Sequence, residues 1–525
     1  MPHDAIIIGA GHNGLAAGVI LAKAGWKVLI LERNEQPGGA VQSAEVTLPG
    51  FRHDLFAANL NLFAGSPFFK EFQGELREHG LEFVQARLPF GSVFEQGGFL
   101  GVSTDPEETL QSIRRISPQD ALAWQTLYQE FQRSAAYLFP LLAVPMPSLG
   151  LARGLWKGMR ALGRRWLLEL LRLLVQSPRE FLQERFESPQ VQALCAAWGM
   201  HLDFPPAMAG GALFPYLESM AGQMNGMALG KGGADSMIKA LLSLFESLGG
   251  ELRCRSAVGR IQISAGGASG VVTEGGRSFG CRKAVIANLT PTVLAGLLEG
   301  DALSKGERRR ISRYRYGPGT MMVHLALSGL PDWEAGEQLQ GFAYIHIGTS
   351  LEEMDRTYSE AISGLLPEHP TLVVGQPTAV DPSRAPQGSH ILWVQVRALP
   401  AVIVGDAAGT IEGRDWETAG QPYAERVLDR IESFAPGLRE KILGRCILSP
   451  ADLQSRNPNL VGGDSLGGSH HLSQNYLLRP FPGWSRYRTP IDRLYMCGAS
   501  TWPGAGVGAG SGRLLAKMLA GKSSR

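Results

Sequence analysis

Four apolar residues, Ala5 to Ile8, form the first regular pattern, and the turn Gly9-Ala-Gly11-His-Asn-Gly14 follows them directly. A run this short beside a turn signal reads as a buried strand. A helical stretch with apolar positions comes next, then a second apolar run, Val28 to Leu31, ending at Glu32. Together they predict strand, turn, helix and strand. A loop-rich region extends to about residue 110, and from about 118 to 190 the pattern is helical, broken at Pro140, Pro145, Pro147 and Pro178. Gly230-Lys-Gly-Gly233 leads into a helix over 234–248 and the pair Gly249-Gly250, followed by strands at 251–263, 270–274 and 283–287. Strands at 317–328, 341–348 and 390–397, with a helix over 416–434, suggest a separate sheet away from these pieces. A strand at 493–497 and a glycine loop feeding a helix over 498–519 close the chain.

The first of these units has the parts of a dinucleotide-binding fold. Gly9 permits the tight turn, Gly11 lets the backbone approach a pyrophosphate, and Gly14 allows close helix–strand packing. Glu32 lies 18 residues beyond Gly14, near the ~20 at which a carboxylate accepts from a ribose hydroxyl. The turn Gln36-Pro-Gly38-Gly39-Ala40 can lay backbone N–H groups against a diphosphate. Both ends of the chain therefore read as cofactor-binding pieces with a different domain inserted between them.

At 525 residues the chain is too long for one simple core, so two domains are expected. Lys+Arg 50 against Asp+Glu 48 leaves a net charge of +2, which gives no global attraction to nucleic acid. The five cysteines contain no CxxC pair, which fits a reducing compartment and argues against a zinc site or a redox disulfide, and no HxxxH or carboxylate cluster suggests a metal. A strand starting at residue 4 leaves no room for a signal peptide, and no run of 18 apolar residues occurs, so a cytoplasmic location is expected. One stretch, 151–175, changes this picture. Arg153, Lys157, Arg160 and Arg164 step by 4, 3 and 4, with Leu155, Met159, Leu162, Trp166, Leu170 and Leu173 opposite. A basic amphipathic helix carrying Trp suits a membrane surface, and equally a surface helix packed over a substrate cavity.

The N-terminal unit, the PGGA turn, Gly249-Gly250-Glu251 and the PGAGVGAGSG loop together resemble the phytoene desaturase-like flavoproteins. The strings NPNLVGGD (457–464), SQNYLLRPFPGW (473–484), TPIDRLYMCGAST (489–501) and HILWVQVRALP (390–400) bring it nearest the FAD-dependent β-carotene ketolases. The resemblance implies an α/β fold with an α+β insert: a Rossmann-type FAD-binding domain of the glutathione-reductase/amine-oxidase type. Segments 1–75, 228–310 and 485–525 would form it, and 76–227 with 311–484 the substrate domain.

It also implies roles. Gly9, Gly11, Asn13 and Gly14 would hold the pyrophosphate, Glu32 the adenosine ribose, and Arg33 would flank the adenosine. Gly38, Gly39 and Ala40 would wrap the diphosphate and ribityl chain, and Val258 would meet the adenine through its backbone. Gly498, Ala499, Gly506 and Val507 would place a helix N-terminus against the flavin, where reduction adds negative charge. The family commonly has His where this chain has Trp502, which exchanges an imidazole for an apolar ring with one N–H donor.

The isoalloxazine itself takes a hydride, so no nucleophilic triad is required. Asn59, His470 and Trp502 are the candidates at the flavin face; for His470 a hydrogen-bonded structural role is the competing reading. The implied substrate is a long apolar polyene, oxidised at an allylic carbon by a ketolase or desaturase. The resemblance names no electron acceptor. Two other readings share the fold: a flavin amine oxidase, and a flavin-free lipid or prenyl carrier of the Rab escort type, against which the intact fingerprint with Glu32 argues.

Overall fold

The computed structural model describes residues 2–521. Its first sheet has seven strands, and the uncharged runs Ala5–Ile8 and Val28–Leu31 lie at its centre, buried on both faces. That burial is the habit of a parallel sheet covered by helices. His3–Ile8 pairs in parallel with Val28–Leu31 on one side and Ser278–Ala287 on the other. Glu251–Arg253 and Leu494–Met496 extend the parallel part, while Val258–Ser264 and Gly267–Thr273 continue it as antiparallel strands. The helix His12–Lys23 is buried from Asn13 to Ala22 because Asp235–Ser247 and Gly510–Ala520 both pack on it. Gly18 permits one approach: a Cβ there would lie 3.0 Å from the Phe245 ring.

A second seven-stranded sheet runs in the order Ile442–Leu448, Gly319–Leu327, His390–Leu399, Thr371–Gly375, Tyr344–Ile347, Phe90–Val93 and Phe99–Val102. Its two faces follow from the period of two along a strand. Met321, Val323 and Leu325 point to the helix Trp416–Glu432, in a core shared with Val394, Val396, Tyr423 and Val427. Thr320, Met322, Tyr344, Trp393, Gln395 and Arg397 point the other way and wall a cavity. The sheet is thus not away from the cofactor region, as its separate sequence pattern suggests; one of its faces lines the same cavity as the glycine turn.

The helical stretch resolves into Pro118–Leu142, Leu149–Leu162, Arg164–Val175, Pro178–Arg185 and Pro189–Met200. Pro140 is accommodated in the last turn of the first of these. The single basic helix expected over 151–175 is two helices. Gly163, at φ +90°, breaks it and resets the phase of everything after it. Trp166 folds back against Gly158, where a Cβ would overlap the indole. Arg153, Lys157 and Arg160 remain exposed, and Leu170 and Leu173 are buried.

Candidate functional site: a cavity between two sheets

A cavity of about 1540 Å³ lies between the two sheets. One small-molecule ligand usually occupies roughly 300–1,000 Å³, so there is room for a dinucleotide and a substrate together. At one end the walls are nearly bare backbone: Gly9, Gly11, Gly39, Gly498, Gly504, Gly506, Gly508 and Gly510. Two helix N-termini converge here, at His12 and at Gly510, and each offers unpaired N–H groups and a positive dipole end. Gly498 is at φ +108°, and a Cβ on it would come 2.7 Å from Asn288 Oδ1.

Glu32 is buried at the end of its strand. Its Oε2 accepts from the Ala10 N–H and its Oε1 from the Asn34 N–H, both at 2.9 Å. A carboxylate has about four acceptor sites, so two remain for hydroxyls in the cavity. Arg33, Ala40 and Val258 line the same end. Asn13 lines it too, though its side chain is engaged: Oδ1 accepts from Gly512 N–H at 3.1 Å and Nδ2 meets His12 Nε2 at 2.9 Å. Two of the glycines expected to touch the pyrophosphate, Gly14 and Gly38, stand behind the wall instead. Gly14 seats the helix on the strand, where a Cβ would overlap the Gly9 carbonyl, and Gly38 donates its N–H to Ala10 O at 3.0 Å.

Asn59 and Trp502 line the cavity, together with Val507 and Ala499. The Trp502 indole N–H donates to the Val144 carbonyl at 2.8 Å, which ties the C-terminal loop to the helical layer. His470 does not reach the wall. It is buried behind the loop, and its Nε2 accepts from the Ala505 N–H at 3.1 Å. Burial holds its pKa well below the usual histidine range, so it stays neutral. Its position supports the structural role.

Other wall residues carry no motif. Asn288 follows the strand Ser278–Ala287 and packs against Gly9, Gly11, Gly14 and Gly498. His12 is pushed down to about 4 by burial, with its ring against the Gly506 carbonyl. Arg397 spends its guanidinium on Met200 O, His201 O, Thr320 Oγ1 and Ser465 Oγ. The far half of the cavity is mainly apolar and aromatic, with Phe139, Leu213, Phe214, Leu217, Met322, and Trp393 stacked on Tyr344 at 5.4 Å, and it also carries Glu218, Gln395 and Arg397. Only the bare-backbone turn and Glu32 are visible as motifs; the far half is assembled from segments spread over some 260 residues of sequence between Phe139 and Arg397.

Such an arrangement defines a dinucleotide-dependent oxidoreductase with a built-in apolar chamber. The chain belongs to the flavin containing amine oxidoreductase family, the match running over residues 14–509. It is 30% identical to pyridine nucleotide-disulfide oxidoreductase domain-containing protein 2 of Rattus norvegicus, over 98% of this chain and 93% of that one. A limonene dehydrogenase polypeptide of Castellaniella defragrans is 28% identical, with 98% and 94% covered. Phytoene desaturase (neurosporene-forming) of Rhodobacter capsulatus is 26% identical, with 98% and 93% covered. The solved cyclohexylamine oxidase of Brevibacterium oxydans shares the fold, at a TM-score of 0.58 and 17% identity over all of both chains. The protein is therefore a phytoene desaturase-like, FAD-dependent oxidoreductase. Its residues fit FAD: the glycine cradle, the two helix N-termini and the half-free Glu32 carboxylate match a pyrophosphate, a flavin and a ribose.

Proposed function

We propose that the protein oxidises a long apolar polyene, as a carotenoid desaturase or ketolase. The observation that carries this reading is the far half of the cavity, walled by Leu213, Phe214, Leu217, Met322, Tyr344 and Trp393. A flavin amine oxidase would need a slot between two aromatic rings and a lysine nearby. Tyr476 and Trp502 instead lie against each other, 6.2 Å apart and tilted by 44°. Among the described residues Lys70 is the single lysine of the cavity wall, and it is exposed.

FAD, when bound, supplies a hydride acceptor at N5. What the chain supplies is placement: the apolar walls hold the polyene and keep water from the reacting carbon. Loss of a neighbouring proton then yields an alkene; a ketone requires that one water be admitted to the reacting carbon, followed by a second oxidation. The test is anaerobic addition of β-carotene or phytoene in liposomes to the purified yellow protein. Bleaching of the flavin band is expected, with the product identified by chromatography. Bleaching by amines but by neither polyene overturns the reading.

The substrate's home in lipid gives the exposed helices a role. Leu149, Trp156, Leu168, Leu171 and Val175 are all more than half exposed, beside the cations Arg153, Lys157 and Arg160. The helix Leu149–Leu162 packs on Pro118–Leu142, whose Phe139 is an exposed residue of the cavity wall. Among the described residues no helix is long and apolar enough to cross a membrane, so this reading has the patch lying on an anionic surface. Replacing Leu149, Trp156 and Leu171 by serine is expected to lower partition onto anionic liposomes by about tenfold or more, with FAD content unchanged. Equal sedimentation of variant and wild type would count against it.

A further inference from the structure

The helix Leu213–Asn225 buries one face, with Tyr216, Met220 and Gln223 in the helical layer. Its other face, Leu217, Glu218, Ala221, Met224 and Asn225, lines the cavity. Glu218 therefore points a carboxyl group into the half of the cavity assigned to substrate. The other two wall carboxylates, Glu32 and Glu274, lie at the glycine-rich end and beside Val258. Among the described residues Glu218 has no hydrogen-bond or ion-pair partner, and burial alone acts on it. Its charge reaches the Tyr344 hydroxyl, which also faces the Asn59 backbone. Glu218 is part-exposed, as a residue of the cavity wall, and a desolvated carboxyl without a partner is costly.

We infer that Glu218 is the proton acceptor of the oxidation: its carboxylate removes the proton from the carbon adjacent to the one that gives up hydride. The inference rests on the polyene reading. One C–H bond breaks with its electron pair, which passes as hydride to the flavin. The neighbouring C–H bond then breaks, its electrons become the new C=C bond, and the proton forms a new O–H bond on Glu218. The assignment commits the reaction to an alkene, because an internal base takes the proton faster than an excluded water can add.

Burial pushes the Glu218 pKa up to about 7, where a base is both ionised and strong enough to act. Burial also raises Asp203, which accepts from the Tyr358 hydroxyl and faces His471, so the difference between wild type and Glu218→Gln is what assigns a carboxyl band to Glu218. His201 is held well below its usual range by burial, and His346 behind it down at about 3. Arg397 stays protonated at about 10, while Tyr344 and Tyr216 are pushed up out of range and Cys195 to about 12. Asp464, pushed up to about 6, lies behind the wall, where its carboxylate accepts from the backbone of Gly317, Leu466 and Gly468.

Two measurements on the holoprotein test this. Infrared titration without substrate is expected to show a protonated carboxyl band that disappears with a midpoint near pH 7 and is absent from Glu218→Gln. A Glu218 already ionised at pH 5 overturns the inference whatever the substrate is. Anaerobic desaturation of the polyene is expected to rise with pH through that midpoint in wild type. It should fall by roughly 100-fold or more in Glu218→Gln at equal FAD content and partly recover in Glu218→Asp. Equal rates in wild type and Glu218→Gln remove Glu218 while leaving the polyene reading intact. No reaction of wild type with any polyene overturns that reading and the base assignment with it.

Discussion

Protein carrying Glu32→Ala is expected to purify almost colourless. The wild-type carboxylate has two lone-pair sites occupied by the Ala10 and Asn34 backbone N–H groups and two free towards the cavity. Hydrogen bonds to a charged acceptor contribute about 1.5–3 kcal/mol each, so losing the ribose contacts weakens FAD binding by at least ~100-fold at 1.4 kcal/mol per decade. The truncation also leaves the Ala10 N–H, inside the glycine turn, without its acceptor. The turn that should cradle the pyrophosphate loosens at the same moment, and the two losses reinforce each other. Glu32→Gln separates them: it keeps one acceptor oxygen but turns an NH₂ towards a backbone donor, and an intermediate affinity is expected. The measurement is the ratio of flavin to protein absorbance, followed by titration of stripped protein with FAD. A Glu32→Ala protein with full flavin content would remove this carboxylate from the ribose site.

The cofactor end is readable because its signals are local. A strand of four apolar residues, three glycines and a carboxylate lie within 32 positions, and each has one physical job. The helix expected at 234–248 is found at Asp235–Ser247, because glycines mark both of its ends. The second sheet is only half legible, for the opposite reason. Ile442–Leu448 is an edge strand with half-exposed residues and Gly444 and Arg445 in its middle, so no alternation marks it. Phe90–Val93 pairs with Tyr344–Ile347 across some 250 residues, and no local pattern announces such a partner. Gly163 is visible as a glycine, but nothing in the sequence says that its φ is positive, and the basic spacing runs straight through it. Glu218 is the clearest case. A lone Glu in PYLESM belongs to no motif, and only the tertiary fold sets it on a cavity wall.

Gly512→Val is expected to be the most destabilising single glycine replacement at the cofactor end, and to lose flavin as well. The C-terminal helix crosses His12–Lys23 at Gly512, and a Cβ there would overlap the Asn13 carbonyl. Both partners at this crossing are backbone, so no side-chain rotamer can relieve the overlap and one helix must move. Overpacking of this kind costs about 3 kcal/mol or more, a fall of roughly 3 °C or more in Tm for a chain of this length. Movement also breaks the bond from Gly512 N–H to Asn13 Oδ1. That bond couples the two helix starts whose N–H groups face the cavity, so the displaced helix carries its positive end away from the flavin. Gly74→Ala is the matched control. Gly74 is exposed in the helix Pro67–Glu78 with nothing near its missing Cβ, and alanine there should add up to ~1 kcal/mol of stability. Thermal unfolding of both variants, with and without added FAD, separates the two effects. If the helix start holds the flavin, excess FAD recovers little of the Tm lost in Gly512→Val, because the donors that bind it are displaced. Full recovery by FAD would instead mean that the crossing bears on packing alone and that the flavin is held elsewhere.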